Sequence, residues 1–398
     1  MPGLVAGALG AGVHDAFSDA VNALGHDFAM LTTEGRGPAL RGRMVGEVLR
    51  SAPLWHRLDS LGAPLLRTRS VLSPAAALAR YLTSANDIDL LHMEVAYPFG
   101  AAAMLAATAA RWRGPIAVTP MGEDTLTLDE CLYGFRRYLV PRLLVDSVLR
   151  RAACIRCISP LHERLLVPLA PRTPRRVIPL NVSAGIVAAS KESDEVRAAR
   201  RRQARVSLEA ELGIPGRRIV LSLGRLHPFK GIDILIRAMS QVPDAILVIA
   251  GPSLRIRATG DEASRLARLV HDLALDERVR FLGPVTGARA MELLAAADVV
   301  CVPSRLESLN KVCVEAIAVG TTFVVTETTG ISAWARTANL GVVVPPCDES
   351  ALAAGLIAAL SHPQPPAAAD IQRFVDQFSP ATVAAAVLEF YEDVLGKR

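Results

Sequence analysis

Aromatic residues are scarce in this 398-residue chain, at 5% of the sequence. Uninterrupted apolar runs stay well short of the roughly 18 to 20 residues that a membrane-spanning helix needs, and the N-terminus lacks the basic start and long apolar stretch of a secretory signal. Hydrophobic residues nevertheless make up 51% of the chain and charged residues 21%, which excludes a largely disordered protein. We therefore expect a folded, cytoplasmic protein of two or three domains.

Cysteine is also infrequent, with six residues spread through apolar segments. This usage is typical of buried free thiols in a reducing compartment. Cys154 and Cys157 form a CxxC motif, but they fall in a predicted strand, where residues three apart point to opposite faces. The spacing therefore argues against a metal or redox site there.

The net charge of +5 favours phosphorylated or other anionic ligands but falls short of a nucleic-acid-binding footprint. Arginines concentrate between Tyr133 and Arg156, among Leu, Val and Tyr: Arg136, Arg137, Arg142, Arg150, Arg151 and Arg156. The pattern fits an exposed helix face with charged edges. It also fits a helix resting on an anionic membrane surface, so weak peripheral membrane contact is a second interpretation.

The second half of the chain contains six short β-branched runs separated by segments with helical spacing. The predicted strands are Ile219–Leu223, Ala245–Ala250, Val279–Leu282, Val299–Val302, Phe323–Thr326 and Val342–Val344. Two of the intervening helices are predicted at Ile232–Met239 and Ala263–Leu273. Repeated βα units of this kind indicate a parallel sheet with helices on both faces.

The first half repeats this organisation less clearly. Its strand candidates are Asp27–Thr32, Ile88–Met93, Ile116–Thr119, Ala153–Ser159 and Val177–Leu180, and a helix is predicted at Asp15–Leu24. A strongly charged stretch, Ala188–Arg205, precedes Gly213, Pro215 and Gly216 and predicts a linker. We divide the chain into a first domain at 1–187, a linker at 188–216, a second domain at 217–370, and a C-terminal segment at 371–398 whose helix, Phe374–Leu395, packs back on the first domain. The predicted fold is α/β, with two doubly wound Rossmann-like domains facing each other across a cleft.

A basic segment follows the first strand of the second domain. Gly224 allows the backbone to approach a ligand closely, while Arg225 and Lys230 can reach one anion from two directions. The segment predicts a diphosphate clamp; a turn with solvated Arg and Lys is the alternative.

Two carboxylates follow the strand Val299–Val302. Glu307 and Glu315 would lie about 12 Å apart if the segment were helical, which is roughly the reach from a sugar to a ribose across a diphosphate. A helix N-terminus between them would offer free N–H groups to phosphate.

These motifs, in this order, resemble the GT-B retaining glycosyltransferases of the family 4 type, the glycosyl transferases group 1. The resemblance spans nearly the whole second domain. It rests on Gly224-Arg225 with Lys230-Gly231, Ile249-Ala250-Gly251, Phe281-Leu282-Gly283, Ala297-Asp298 before Pro303-Ser304, the pair Glu307 and Glu315, and Gly341 with Pro345 and Asp348.

The resemblance implies transfer of a hexose-like sugar from a nucleoside-diphosphate donor to a hydroxyl acceptor, with retention of anomeric configuration and without a metal or other cofactor. By the same resemblance, Arg225 and Lys230 neutralise the diphosphate, and Glu307 with the backbone at Leu309 and Asn310 holds the transferring sugar. Glu315 binds the ribose. The catalytic set is then Arg225, Lys230 and Glu307, and the donor-binding set adds Gly224, Gly251, Leu309, Asn310 and Glu315.

The first domain, which would bind the acceptor, departs from the family pattern. Family members open on a strand and a glycine-rich loop, whereas here Gly7, Gly10 and Gly12 follow very little chain, so we expect either a shortened N-terminus or a miscalled start. Gly10-Ala-Gly12 also mimics a dinucleotide fingerprint, but no strand precedes it.

A second departure lies at Thr119-Pro120-Met121-Gly122-Glu123-Asp124, where the family often has His-Gly-x-Asp and Met121 stands in place of the histidine. Glu123 and Asp124 keep acidic groups at a strand end that would face the cleft. Gly12, His92, Glu123 and Asp124 are the acceptor-side candidates, with Glu94 beside them. For His92 a purely structural imidazole is the alternative.

Asp87-Ile88-Asp89 spells a DxD motif, which other glycosyltransferases use to hold a divalent cation. Because the pair precedes its strand, at the edge away from the expected ligand end, we expect no metal there.

Two other functional classes stay open. One is a catalytically silent sugar-nucleotide-binding protein that serves a partner enzyme, which Met121 and the short N-terminus suggest. The other is a phosphorylase or epimerase on the same scaffold.

Overall fold

The computed structural model describes residues 8–26, 70–84, 88–256, 260–361 and 366–396. The chain divides into two units. The N-terminal unit comprises Asp15–Pro179 with Val383–Arg398, and the C-terminal unit is built on Leu180–Thr382. Among the described residues, no helix is long and apolar enough to span a membrane.

The N-terminal unit contains a four-stranded parallel sheet whose strands lie side by side in chain order. The strands are β1 (Leu91–Met93), β2 (Ile116–Val118), β3 (Cys154–Cys157) and β4 (Arg175–Val177). The helices are α1 (Ala8–Ala23), α2 (Leu72–Ser84), α3 (Ala101–Ala110), α4 (Leu139–Arg151) and α5 (Pro160–Leu166). Four predicted strands are therefore confirmed with shifted ends.

Two further elements were predicted near the N-terminus, a strand and a helix. The strand predicted at 27–32 lies outside the described residues. The helix predicted from Asp15 begins earlier, at Ala8, so Gly10 and Gly12 lie within α1 rather than in a loop.

Apolar side chains cover both faces of this sheet. On one face, α3 is almost entirely alanine between residues 101 and 107, and such small side chains let α2 and α3 pack closely. Cys157 belongs to this cluster, whereas Cys154 belongs to the other one. The two cysteines therefore point to opposite faces, as predicted, and burial raises the pKa of each thiol to about 12.

The C-terminal unit contains a six-stranded parallel sheet in the order β9-β6-β5-β10-β11-β12. Its strands are β5 (Arg218–Leu223), β6 (Ala245–Ala250), β9 (Val279–Gly283), β10 (Val299–Val302), β11 (Thr322–Thr326) and β12 (Gly341–Val344), and a small antiparallel pair comprises β7 (Arg255–Ile256) and β8 (Gly260–Asp261). All six predicted strands are confirmed to within a residue. The order is that of a Rossmann sheet. Successive strands are added on one side from β5 to β9 and on the other side from β10 to β12, so β5 and β10 flank the switch point. Ligands bind beyond the carboxyl ends of the strands at such a point.

Helices cover this sheet on both sides. The helices of this unit are α6 (Ala184–Ser190), α7 (Asp194–Leu212), α8 (Ile232–Ala238), α9 (Glu262–Asp272), α10 (Gly287–Ala296), α11 (Val312–Ala318), α12 (Ser332–Ala338), α13 (Glu349–Ser361) and α14 (Ala368–Asp376). The last helix, α15 (Pro380–Gly396), belongs to the N-terminal unit from Val383 onward and packs there against Ala117 and Cys154. The predicted helices at 232–239 and 263–273 correspond to α8 and α9.

The stretch predicted as a charged linker is largely helical. Arg197, Arg201 and Arg205 recur every fourth residue and so share one face of α7. Arg201 donates to the carbonyl of Ala297 at 3.0 Å, and Arg205 donates to the carboxylate of Asp298 at 2.7 Å. These contacts bind α7 to the start of β10, so the charge of this segment anchors a packed helix of the C-terminal unit.

The single C-terminal helix predicted from Phe374 is instead two helices, α14 and α15. The break falls at residues 377–379 because Pro380 lacks the N–H that a continuous helix requires. The Ser379 hydroxyl accepts the Thr382 N–H at 3.2 Å and caps the new helix.

The predicted basic cluster does not lie on one surface. Arg156 lies in β3, where it is buried and donates to the carbonyl of Ile178 at 3.0 Å. Arg136 is paired with Asp146 at 3.0 Å. The exposed part of the cluster belongs to α4.

Candidate active site

Two loops meet at the carboxyl edge of the C-terminal sheet, because the strands that they follow are neighbours. We call residues 224–231 the β5 loop and residues 303–311 the β10 loop. Gly231 has φ +67°, and a Cβ there would fall 2.0 Å from the carbonyl oxygen of Pro303. Only glycine therefore lets the two loops approach this closely.

An open pocket lies between these loops. Gly224, Arg225 and Lys230 line it from the β5 loop, and Ser304 and Asn310 line it from the β10 loop. The side chain of Arg225 is exposed to solvent. The structure thus brings both predicted cations and part of the predicted acid segment to one pocket.

Glu307 is the most extensively bonded carboxylate at this edge. Its Oε1 lies 2.5 Å from the Nζ of Lys230. Its Oε2 accepts hydrogen bonds from the Ser304 hydroxyl at 2.8 Å and from the Asn310 amide at 3.0 Å. Burial alone would raise the pKa of Glu307, but the charge of Lys230 and these hydrogen bonds outweigh it and hold the pKa below its usual value. Glu307 is therefore ionised at neutral pH.

The backbone of Glu307 is fixed from a third loop, which follows β11. The Glu307 N–H donates to the carbonyl of Thr328 at 3.0 Å, and its carbonyl accepts the Gly330 N–H at 2.8 Å. In the same way, the carbonyl of Ser304 accepts the Thr326 hydroxyl at 2.6 Å. The acid is thus held in one orientation by both its side chain and its backbone.

Asn310 has an unusual conformation for a residue with a side chain. Its φ is +98°, a region that favours glycine and that asparagine tolerates better than most residues. Its amide donates to Glu307, while its Oδ1 is buried and has no hydrogen-bond partner in the described part of the chain. Strained and unsatisfied groups of this kind concentrate at functional sites.

Glu315, the second predicted acid, lies in α11 after the β10 loop. Its side chain is buried, and burial raises its pKa. Leu309 is buried, and its carbonyl accepts the Ile331 N–H at 3.2 Å. The predicted arrangement, with Glu307 in a loop and Glu315 inside the following helix, agrees with the structure.

Sequence reasoning missed a second ion pair beneath these loops. Arg305 donates two hydrogen bonds to the carboxylate of Asp233, at 2.9 and 2.8 Å. Burial would raise the pKa of Asp233, but Arg305 reverses this effect and lowers it. The available signals were Asp233, a charged residue at the start of an apolar helix, and Arg305, a charged residue next to Ser304. Neither residue indicates by itself which partner it binds.

His227 in the β5 loop is neutral near pH 7. Its Nδ1 accepts the Phe229 N–H at 3.2 Å. Burial, together with the nearby charges of Arg225 and Lys230, lowers its pKa to about 4.

In the N-terminal unit, His92 is an uncharged, packed side chain. Its Nε2 lies 2.7 Å from the Thr119 hydroxyl, and its ring meets the Tyr391 ring edge to face at 5.8 Å. Burial and the charge of Arg156 lower its pKa to about 3. These contacts favour the structural interpretation of His92.

Asp124 points inward onto backbone rather than outward from the strand end. Its carboxylate accepts the N–H groups of Ala96, Met121 and Gly122 at 2.6, 3.0 and 3.1 Å. Burial raises its pKa to about 6 despite these bonds. Asp124 thus ties the loop after β1 to the loop after β2, while Glu123 beside it is half-buried.

Of the DxD motif, Asp87 lies outside the described residues. Asp89 is exposed and precedes β1. Across the described residues, no group of three or more His, Cys, Asp or Glu side chains is arranged to hold a metal ion.

Comparison with known proteins accounts for both halves of the chain. Residues 207–373 match the family model of the glycosyl transferases group 1, and residues 13–181 match a glycosyl transferase 4-like domain. The chain belongs to the group 1 glycosyltransferases of the family 4 type.

Among curated relatives, a D-inositol 3-phosphate glycosyltransferase from Mycolicibacterium gilvum is 40% identical over 142 residues, which is 35% of this chain and 31% of that protein. The chain therefore matches only about a third of the length of such relatives.

Solved structures are similar over more of this group 1 chain. Sucrose-phosphate synthase from Thermosynechococcus elongatus has a TM-score of 0.73 at 22% identity, covering 96% of this chain and 92% of that one. The Anabaena protein HepE in complex with UDP has a TM-score of 0.65 at 21% identity, covering 81% and 83%. At these identities the likeness establishes the fold alone, which is GT-B with two Rossmann-like units.

Proposed function

We propose that this chain transfers a hexose-like sugar from a nucleoside-diphosphate donor to a hydroxyl acceptor, with retention of configuration and without a metal ion. The observation that carries the proposal is the ion pair between the ionised Glu307 and Lys230, a residue that lines the pocket at the Rossmann switch point. A pocket-lining cation in direct contact with an acid matches the two ends of an activated sugar.

In this proposal, departure of the nucleoside diphosphate is the difficult step. Negative charge develops on the β-phosphate as the glycosidic bond weakens, and Lys230 and Arg225 stabilise that charge. Charge-assisted hydrogen bonds of this type contribute on the order of 2 kcal/mol each. These two cations supply the stabilisation that other glycosyltransferases obtain from a divalent ion.

Glu307 then binds hydroxyl groups of the transferring sugar. Its bonds to Ser304 and Asn310 fix its orientation before the donor arrives, so little reorganisation accompanies binding. Because Lys230 contacts Glu307 directly, the donor places its diphosphate beside Lys230 and its sugar beside Glu307. Glu315 lies in α11, the helix that follows the β10 loop, and binds the ribose in this proposal.

The acceptor is assigned to the N-terminal unit, with Gly12, His92, Glu123 and Asp124 as the predicted residues. The geometry divides their roles. Asp124 shapes the loops that follow β1 and β2, whereas Glu123 is partly exposed and is the better candidate for direct contact. The curated relatives are named for D-inositol 3-phosphate, so a phosphorylated cyclitol belongs in the acceptor panel.

Peripheral membrane contact is part of the same proposal. Leu139 and Leu143 lie four residues apart on α4 and are 61% and 58% exposed. Arg142 and Arg151 are exposed on the same helix. Exposed leucines beside arginines suit an interface with anionic lipid, and sedimentation with anionic and with neutral vesicles tests this point.

A catalytically silent sugar-nucleotide-binding protein is the second candidate, because Met121 stands where the family often has a histidine. It would bind a donor but release no nucleoside diphosphate with any acceptor. A phosphorylase would depend on inorganic phosphate, and an epimerase would convert the donor without an acceptor.

The test is a thermal-shift screen of UDP-, GDP-, ADP- and dTDP-sugars, since a ligand at 100 times its Kd adds about 2.7 kcal/mol of stability. The stabilising donor is then incubated with sugar, cyclitol phosphate and lipid acceptors, with and without EDTA. The proposal expects release of nucleoside diphosphate that EDTA does not affect, and a product whose NMR coupling shows the donor's anomeric configuration. Donor binding without release would favour the silent protein.

A further inference from the structure

We propose that Arg305 and Asp233 form a positioning pair that sets the spacing between the cation and the acid of the donor site. The inference rests on the proposed function and deepens it. Neither residue lines the pocket. They act through the two loops that carry Lys230 and Glu307.

Arg305 makes four hydrogen bonds, two that fasten the β10 loop to the β5 loop and two to Asp233 at the start of α8. Besides its two bonds to Asp233, its guanidinium donates to the carbonyl of Pro228 at 2.6 Å. Its backbone N–H donates to the carbonyl of Phe229 at 2.8 Å. Because Phe229 immediately precedes Lys230, the position of the lysine is tied to that of Arg305.

Arg305 is also close in sequence to the acid, since only Leu306 separates it from Glu307. One side chain therefore spans both halves of the donor site. The contact between Gly231 and Pro303 leaves no room for the loops to come closer, so Arg305 and Asp233 prevent them from moving apart.

The charge of Asp233 has a second support. Arg265 in α9 contributes to the lowered pKa of Asp233, and Arg265 is itself held by two hydrogen bonds from its guanidinium to the buried Glu262, at 2.8 and 2.7 Å. Asp233 therefore stays ionised and keeps Arg305 in place.

Such an arrangement is better explained by positioning than by stability. A buried ion pair contributes little net stability compared with apolar side chains of the same size. Misplacing reacting groups by about 1 Å, in contrast, lowers rates on the order of a hundredfold. Lysine cannot replace Arg305, because it lacks the planar fork that bonds to Asp233 and Pro228 together.

The test first measures the binding of UDP, GDP, ADP and dTDP to the wild type by calorimetry. The nucleotide that binds most tightly is then titrated into Arg305→Lys, Asp233→Asn and the double variant. We expect each single variant to bind it at least tenfold more weakly, and the double variant to be no weaker than the worse single one. With the donor sugar, kcat should fall as well, because Glu307 shifts relative to Lys230.

Arg278→Ala is the matched control. Arg278 donates to the carbonyl of Met239 at 2.6 Å at the opposite, amino edge of the sheet, so its loss lowers stability without moving the loops. When variants of similar Tm are compared, the Arg305 and Asp233 variants should bind the nucleotide more weakly, whereas Arg278→Ala should bind it as tightly as the wild type. Wild-type affinity in folded pair variants, or the same loss in Arg278→Ala, would overturn the inference alone. A wild-type protein that binds none of the four would overturn the proposed function and this inference with it.

Discussion

The two units treat buried polar groups in opposite ways. In the C-terminal unit, Glu307 and Asp233 each face a cation, and their pKa values are lowered, so both stay charged. In the N-terminal unit, His92, His162 and Asp124 have neutral side chains or backbone as their hydrogen-bond partners, and burial shifts each pKa towards the neutral form.

Under the proposed function, the charged chemistry belongs to the C-terminal unit. Fixed charges at a sheet's carboxyl edge can stabilise a diphosphate, whereas neutral buried groups hold loops in shape. Each unit has exceptions. In the N-terminal unit, Arg156 is a buried cation that donates to a backbone carbonyl. In the C-terminal unit, burial shifts the pKa values of Glu315 and His227 towards the neutral form. The predictions below test this division, beginning with the largest expected effect.

Removing the Asp124 carboxylate should destabilise the N-terminal unit most. Asp124→Ala leaves the N–H groups of Ala96, Met121 and Gly122 without their acceptor, at a cost of roughly 3 to 5 kcal/mol in the free energy of unfolding. Urea unfolding measures this loss. Asp129→Ala removes a carboxylate that is 82% exposed, and it should cost far less. Equal losses would show that Asp124 does not fasten these loops.

Glu307→Gln should lower kcat/KM for the donor sugar about a hundredfold, because glutamine keeps the shape but loses the charge opposite Lys230. Nucleoside diphosphate release measures the effect. Glu327→Gln is the control, since that acid pairs with Arg336 on the surface of the same unit. If Glu307→Gln retained more than half of the wild-type rate, Glu307 would not act on the sugar.

Lys230→Ala and Arg225→Ala should each lower kcat/KM more than tenfold while leaving the far-UV circular dichroism unchanged. Lys230 should matter more, because its side chain is largely buried whereas Arg225 is exposed to solvent. Full activity in both variants would refute the clamp.

His162 should make stability depend on pH in the acid range. Burial lowers its pKa to about 3 in the folded protein, so between about pH 6.5 and that value the unfolded state binds the extra proton. Stability should therefore fall as the pH drops through this window, by at most about 1.4 kcal/mol per pH unit from this group.

His162→Gln removes that contribution and should flatten the curve of unfolding free energy against pH. Exposed His271→Gln, whose ring is 81% exposed, should leave the curve unchanged. An unaltered slope in His162→Gln would mean that the imidazole is not held neutral.

The sequence predicted the sheet of the C-terminal unit well, because its strands are short, mostly apolar runs, of which β6 and β10 are buried along their whole length. The sequence also singled out Lys230 and Glu307, which the structure brings into contact, since glycines and charges directly after buried strands are a local signal. The pairing of Asp233 with Arg305 is not local, because 72 positions separate the two residues. Composition alone could not find it.

Two further misses have similar causes. The charge of α7 suggested a linker, and only the four-residue spacing of its arginines shows that they share a packing face. The break between α14 and α15 follows from Pro380. The apolar periodicity on both sides of this proline predicted one continuous helix.

Calorimetric titration with the donor sugar nucleotide, comparing the wild type with Lys230→Ala, tests the central claim most directly. If Lys230 and Glu307 bind the two ends of an activated sugar, the wild type should bind one equivalent and Lys230→Ala should bind more than tenfold more weakly. Equal affinity in the two proteins would contradict the account.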